Sequence, residues 1–157
     1  MQKRSLAREY AFKFTYKFLL PDFNADKSYL LSDKKNLDVA LNDFDSSYLE
    51  EDSEHPLNTI DGEGKKFARD LIFGTLNTEK PLTDLILKYS SQKNPDKMEK
   101  INHALLLLGC FEMKEDRDTP TAVIINEYVN MAKKYGPPES HGFIHSVLDK
   151  VGKEIRA

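Results

Sequence analysis

Apolar residues in this chain recur three and four positions apart along most of its length, and no stretch alternates apolar with polar as a half-buried strand would. That spacing confines the fold to helices that each bury one face against another. Leu6, Ala7, Tyr10, Ala11, Phe14 and Phe18 draw one stripe, which Pro21 ends. Leu37, Ala40, Leu41, Phe44 and Tyr48 draw a second, weaker one. Residues 50–64 contain Pro56, Gly62 and Gly64 with little apolar content, so they read as a loop or linker. Phe67, Ala68, Leu71, Ile72 and Leu76 mark a helix from near Lys65 to just before Pro81.

Thr83 is placed to cap a short helix through Leu85, Ile86 and Tyr89, its hydroxyl accepting from an otherwise orphaned N–H. Asp96 and Glu99 have the spacing of a capping box. The helix behind them, through Ile101, Leu105, Leu108 and Met113, is apolar on most sides and is expected to be buried. Pro120 suits a first helical turn, and Val123, Ile124, Tyr128, Val129 and Ala132 follow until Gly136-Pro137-Pro138 breaks the chain. Ser140 is the expected cap of a last helix carrying Phe143, Ile144, Val147, Leu148 and Val151. Six or seven helices give an all-α fold.

At 157 residues and 39% hydrophobic content, the chain suits one domain or two small packed halves. Its longest apolar run, 104–111 including Gly109, is far short of the ~20 residues that span a bilayer. The polar N-terminus lacks a signal-peptide stretch, and a lone cysteine forms no internal disulfide. These features favour a soluble cytoplasmic protein with no membrane partner. The net charge of −3 hides an asymmetry. Residues 1–20 carry five bases against one acid, residues 21–64 three lysines against twelve acids, and residues 65–157 fifteen bases against thirteen acids. A phosphate backbone responds to such a local basic patch and not to the average.

Catalytic chemistry finds no foothold. Cys110 sits in the most apolar segment, where a thiol stays protonated, no serine has a glycine-flanked elbow, and Gly62 and Gly64 are too few for a phosphate cradle. His141 and His145 share a helix face as paired zinc ligands do, but no third ligand accompanies them. Asp43, Asp45, Ser47 and Glu54 fit positions 1, 3, 5 and 12 of a calcium loop, yet Tyr48 stands where the glycine belongs. The chain is therefore expected to be no enzyme, with no cofactor and no metal. On the first helix, Arg8, Phe12 and Tyr16 fall at i, i+4 and i+8, away from the main stripe. An arginine fork matches phosphate and aromatic rings stack on unpaired bases. The alternative is a wide core-facing surface with Arg8 solvated or ion-paired.

The C-terminal stretch is more specific. Thr119-Pro120-Thr121-Ala122-Val123-Ile124-Ile125-Asn126-Glu127 leads to Ala132-Lys133-Lys134-Tyr135-Gly136, then Glu139-Ser140-His141-Gly142-Phe143-Ile144 and Val147-Leu148-Asp149-Lys150. This resembles the signature of the transcription antitermination factor NusB family, approximately P-x-x-V-x-I-N-E-x-V-x-x-A-K-x-x-G followed by S-x-x-F-[VI]-N-G-V-L-D-K. Arg4-x-x-Ala7-Arg8-x-x-Ala11 with Tyr16 resembles the family's opening helix. Residues 67–74 and 105–112 match its middle helices more loosely. The resemblance covers 3–20 and about 65–152.

The resemblance implies two packed three-helix bundles, about 1–80 and 81–157, within one NusB-like domain. It implies binding of boxA-type single-stranded RNA together with the NusE ribosomal protein, in the transcription elongation complex during rRNA transcription. The motif positions implied at the RNA surface are Arg4, Arg8, Tyr16, Glu139, Ser140, His141 and Phe143. Arg4 and Arg8 would contact phosphates, Tyr16 and Phe143 would stack or pack on nucleotides, and Ser140 or His141 would hydrogen-bond to the RNA. Glu139 suits a base-edge or orienting role.

The chain departs from the pattern at His145-Ser146, where the family has Asn-Gly, and at Leu107, where an arginine is common. It also has fewer N-terminal arginines, and its acidic 21–64 stretch has no match. Asn126-Glu127 is expected to tie adjacent helices through buried hydrogen bonds. Two other readings keep the fold. One is a helical adaptor that docks a basic partner through residues 21–64. The other is the RNA-recognition half of an rRNA cytosine methyltransferase, for which this length leaves no catalytic domain and no G-x-G cofactor loop.

Overall fold

The computed structural model describes residues 2–20, 27–51 and 62–156. Among them are eight α-helices and no strand: α1 (Gln2–Phe18), α2 (Lys27–Ser32), α3 (Lys34–Glu51), α4 (Gly62–Asn77), α5 (Glu79–Tyr89), α6 (Lys100–Glu115), α7 (Thr121–Tyr135) and α8 (Ser140–Ile155). The chain divides into two compact units, Met1–Asn77 and Thr78–Ala157. Each holds three longer helices and one shorter one.

In the first unit α1 packs chiefly against α4, and α2 against α3. Ala7 and Ala11 of α1 and Ala68 of α4 are small and fully buried, which lets the helix axes approach closely. Leu37 and Leu41 of α3 and Ile72 of α4 are also buried, so part of the acidic 21–64 stretch belongs to the core. Rings fill the rest. Phe44 meets Tyr10 edge-on at 5.2 Å and Phe14 at 5.4 Å between centroids, a geometry the aromatic quadrupole favours. The Tyr10 hydroxyl donates to Asp45 at 2.5 Å, and Lys65 pairs with the same carboxylate. Asp45 therefore ties α1 to α3 and α4.

Several boundaries differ from the sequence reading. Helix α3 continues through Glu51 and α4 begins at Gly62, ahead of Lys65, while 52–61, the middle of the expected linker, lies outside the described residues. Helix α2 was not anticipated, because six residues are too few to show a helical period.

In the second unit α6 is the central helix, buried from His103 through Cys110 and again at Glu112 and Met113, with α7 and α8 packed against it and α5 against α6 and α8. Three expected caps are corrected. Thr83 lies inside α5, which starts at Glu79 and takes Pro81 into its first turn, where no N–H is needed; its Oγ1 lies 3.0 Å from Nε2 of His103. Asp96 belongs to a 3-10 turn, Pro95–Lys97, capped by the Asn94 side chain, and Glu99 precedes α6 without a side-chain cap bond. Ser140 is the first residue of α8 and Glu139 holds the cap position, because a turn in which the Ser140 N–H donates to Pro137 O brings the chain into the helix.

The expected tie through Asn126 is also corrected: Asn126 is exposed. The buried bond between α6 and α7 runs instead from the Tyr128 hydroxyl to Glu112 Oε1, at 2.8 Å. Where α8 crosses the start of α7, Gly152 leaves room for the neighbouring side chain. A Cβ there would stand 2.9 Å from Cγ2 of Thr121. Beyond α8, the Arg156 guanidinium donates to the carbonyls of Met113, Asp116 and Thr119, closing the α6–α7 connection.

Candidate nucleic-acid interface

The seven candidate residues fall on two elements. Arg4, Arg8 and Tyr16 lie on α1 in the first unit; Glu139, Ser140, His141 and Phe143 lie at the start of α8 in the second.

On α1 the line Arg8–Phe12–Tyr16 is not an open face. Phe12 and Arg8 are each only 3% exposed, and Tyr16 is half-buried with its ring 6.2 Å from that of Phe12. The wide core-facing alternative is what forms, because α1 packs on more than one side. Among its described side chains only Arg4 is exposed. Burying a guanidinium is costly without compensating contacts, and part of Arg8's compensation is aromatic. Its Cζ lies 5.5 Å from the centre of the Phe67 ring on α4, and Cζ of Arg4 lies 5.0 Å from the centre of the same ring. Arg4 and Arg8 are thus brought together on one ring, while Tyr16 stands two turns further along α1 from Arg8. Phe67 was read in the sequence only as part of an apolar face; the signal that marks it is its half-buried position against two arginines.

At α8, Glu139 and His141 are exposed, Phe143 is half-buried and Ser140 is fully buried. The Ser140 Oγ has no hydrogen-bond partner. The chain folds closely there: a Cβ on Gly136 would lie 3.0 Å from that Oγ and 2.9 Å from Ala132 O. In this conformation Ser140 packs beneath the helix start, in a supporting position. Glu139 sits where a carboxylate complements the positive end of the helix dipole.

The remaining candidates for chemistry are accounted for elsewhere. Cys110 is buried, and desolvation pushes its thiol far above the ordinary range. Among the described residues no three His, Cys, Asp or Glu side chains converge as a metal ion requires. His145 lines a groove of about 360 Å³ between α7 and α8 with Asn126 and Asp149. Asp43 and Asp45 of the calcium-like spacing lie within helix α3, with Asp45 already held by Tyr10 and Lys65; Glu54 lies outside the described residues. A second groove, of about 480 Å³, is lined by Phe14, Phe18 and Phe44 together with the exposed Tyr29 and Val39. Among the described residues no helix is long and apolar enough to cross a membrane.

The NusB family model matches residues 5–153, bracketing the acidic stretch. A transcription antitermination protein NusB from Thermodesulfovibrio yellowstonii is 32% identical over 152 residues, covering 97% of this chain and 93% of its own length. The NusB proteins of Laribacter hongkongensis and Alcanivorax borkumensis are 36% and 33% identical, over 56% and 59% of this chain. Those two matches span only 53% and 61% of the relatives' own lengths. T. maritima NusB shares the fold, with a TM-score of 0.72 at 24% identity over 96% of this chain and 91% of that one.

Proposed function

The chain belongs to the NusB family, and from that premise we propose that it is a transcription antitermination factor that binds boxA-type single-stranded RNA together with the NusE ribosomal protein. In this reading it acts in the cytoplasm, on the elongation complex that transcribes rRNA, and by binding alone. The observation that carries the proposal is the family match through residues 5–153, which includes the whole α7–α8 motif. The geometry supports it in the first unit, where the one exposed described side chain of α1 is an arginine set over an aromatic ring beside a second arginine.

Within the proposal the residues take separate roles. Arg4 is accessible and supplies phosphate-matching donors. Arg8 contributes charge from beneath the surface. Tyr16 and Phe143, each half-buried, offer ring edges or faces to a nucleotide. Glu139 and His141 are exposed and provide an acceptor and an imidazole ring for base edges. Ser140 holds the start of α8 that presents them.

The experiment is an RNA titration with and without the NusE-type protein across a salt series. Affinity should rise when the protein is added and fall linearly in log K against log salt. Arg4→Ala should shallow that slope by about 0.7, the value for one phosphate contact on a single strand. Absence of RNA binding under both conditions would sink the proposal.

A further inference from the structure

Phe67 does more than close the α1–α4 contact, because one ring gathers both arginines of α1. Their Cζ atoms lie 5.0 and 5.5 Å from its centre, inside the ~6 Å reach of a cation–π attraction. Arg4 and Arg8 are four residues apart, so they share a helix face and repel one another there. The negative face of an aromatic ring offsets that repulsion. It also restricts two long side chains that otherwise lose rotamer freedom when they engage a ligand.

From this we propose that Phe67 is a positioning residue for nucleic acid: it holds the exposed Arg4, beside the buried charge of Arg8, for a phosphate of the bound strand. The proposal rests on the RNA-binding reading above. The two arginines have different parts. Arg8 is 3% exposed and fixed by its surroundings, whereas Arg4 is exposed and has the ring as a support. A cation–π contact engages the cation over the ring, and the exposed Arg4 stays within reach of a phosphate arriving from solvent. The ring's own place is set by α4, where Ala68, Leu71 and Ile72 are buried next to it. Phe67 itself is only half-buried, so an aliphatic side chain of similar volume should fill its space but cannot attract the two cations.

A double-mutant cycle tests this. Wild type, Phe67→Leu, Phe67→Tyr, Arg4→Ala and the Phe67→Leu/Arg4→Ala pair are titrated against a boxA-type single-stranded RNA at fixed low salt, with and without the NusE-type protein. Helical content and Tm are recorded for each, and Phe67→Met replaces Phe67→Leu throughout if the latter unfolds. Phe67→Leu should weaken binding about threefold to fivefold, the effect of one partly exposed cation–π contact, and Phe67→Tyr should bind within about twofold of wild type because it keeps the ring. In the Arg4→Ala background the same Leu substitution should cost under about twofold, since Arg8 is held by burial. Wild-type affinity in Phe67→Leu, or effects of Phe67→Leu and Arg4→Ala that simply multiply, would overturn the positioning role while leaving RNA binding intact. A wild-type protein that binds no RNA in either condition overturns the RNA reading and this inference with it.

Discussion

The two units bury different chemistry. The first closes around rings and charges: Tyr10, Phe14, Phe18 and Phe44 cluster beside Asp45 and Lys65, and Arg8 is buried against Phe67. The second closes around aliphatic side chains on a central helix, with Leu105, Leu106, Leu107 and Leu108 all fully buried in succession. An aromatic and ionic core offers polar edges that can be shared with a ligand. The close-packed aliphatic core turns Tyr128 and Glu112 inward to bond one another, and its contribution is rigidity. Under the proposed function, recognition on α1 falls to the unit with polar contacts in its core, and α6 is the support on which the α7–α8 motif is displayed.

The strongest way to break that comparison is to cut a cavity in each unit. Leu106→Ala should cost about 3 kcal/mol, within the 2–5 expected for a fully buried leucine, measured by urea denaturation. Phe44→Leu in the first unit should cost distinctly less, because Phe44 is part-exposed and its contacts are edge-on. Equal losses would remove the distinction between a tight unit and an adaptable one.

A sharper probe adds volume in place of removing it. Gly152→Ala puts a methyl 2.9 Å from Cγ2 of Thr121 and 3.3 Å from Sδ of Met113, and overpacking of that kind costs about 1–3 kcal/mol. Thr121→Ser deletes the offending Cγ2 and keeps the hydroxyl that accepts from Arg156. The double variant should therefore recover most of the loss in Tm. If it recovers none, the crossing of α7 and α8 is not set by that contact.

The same contrast explains what could be read from the sequence. The longer helices were legible because their apolar residues keep the three-and-four period, and α6 was expected to be buried because it is apolar on most sides. Caps were not legible. Thr83, Asp96 and Ser140 all have the residue types that cap helices, but the starts were decided by Pro81, by the Asn94 side chain and by the Pro137–Ser140 turn. Those are local turns among neighbouring residues, in which several residue types compete to begin a helix and backbone geometry decides between them. Asn126 failed for a related reason: polarity within a motif says nothing of which way a side chain faces, and the buried tie fell to Tyr128 and Glu112. In the candidate site, Arg4 and Arg8 were marked by the resemblance, but the ring joining them comes from another helix, 59 residues beyond Arg8.

The smallest expected effect lies at the surface of the second unit, where α5 meets α8. Glu154 Oε1 accepts from Lys88 Nζ at 2.5 Å and from the Tyr89 hydroxyl at 2.6 Å. The hydrogen bond from Lys88 and then that from Tyr89 hold the Glu154 carboxyl below its ordinary pKa, and the same carboxylate raises those of Lys88 and Tyr89. A depressed carboxyl stabilises the fold above its unfolded pKa and loses that contribution as pH falls through the folded value. Groups with raised pKa values contribute below their unfolded values and lose it as pH rises through the folded ones. The tie should thus be at full strength between about pH 5 and pH 10 and fade on both sides. Because all three groups are solvated, screening keeps its contribution small. Glu154→Gln should lower Tm slightly at pH 7, and its curve should converge with wild type at acid pH, once the depressed carboxyl has taken up its proton. A Tm difference that is the same at both pH values would mean the cluster stabilises the fold by packing and not by charge.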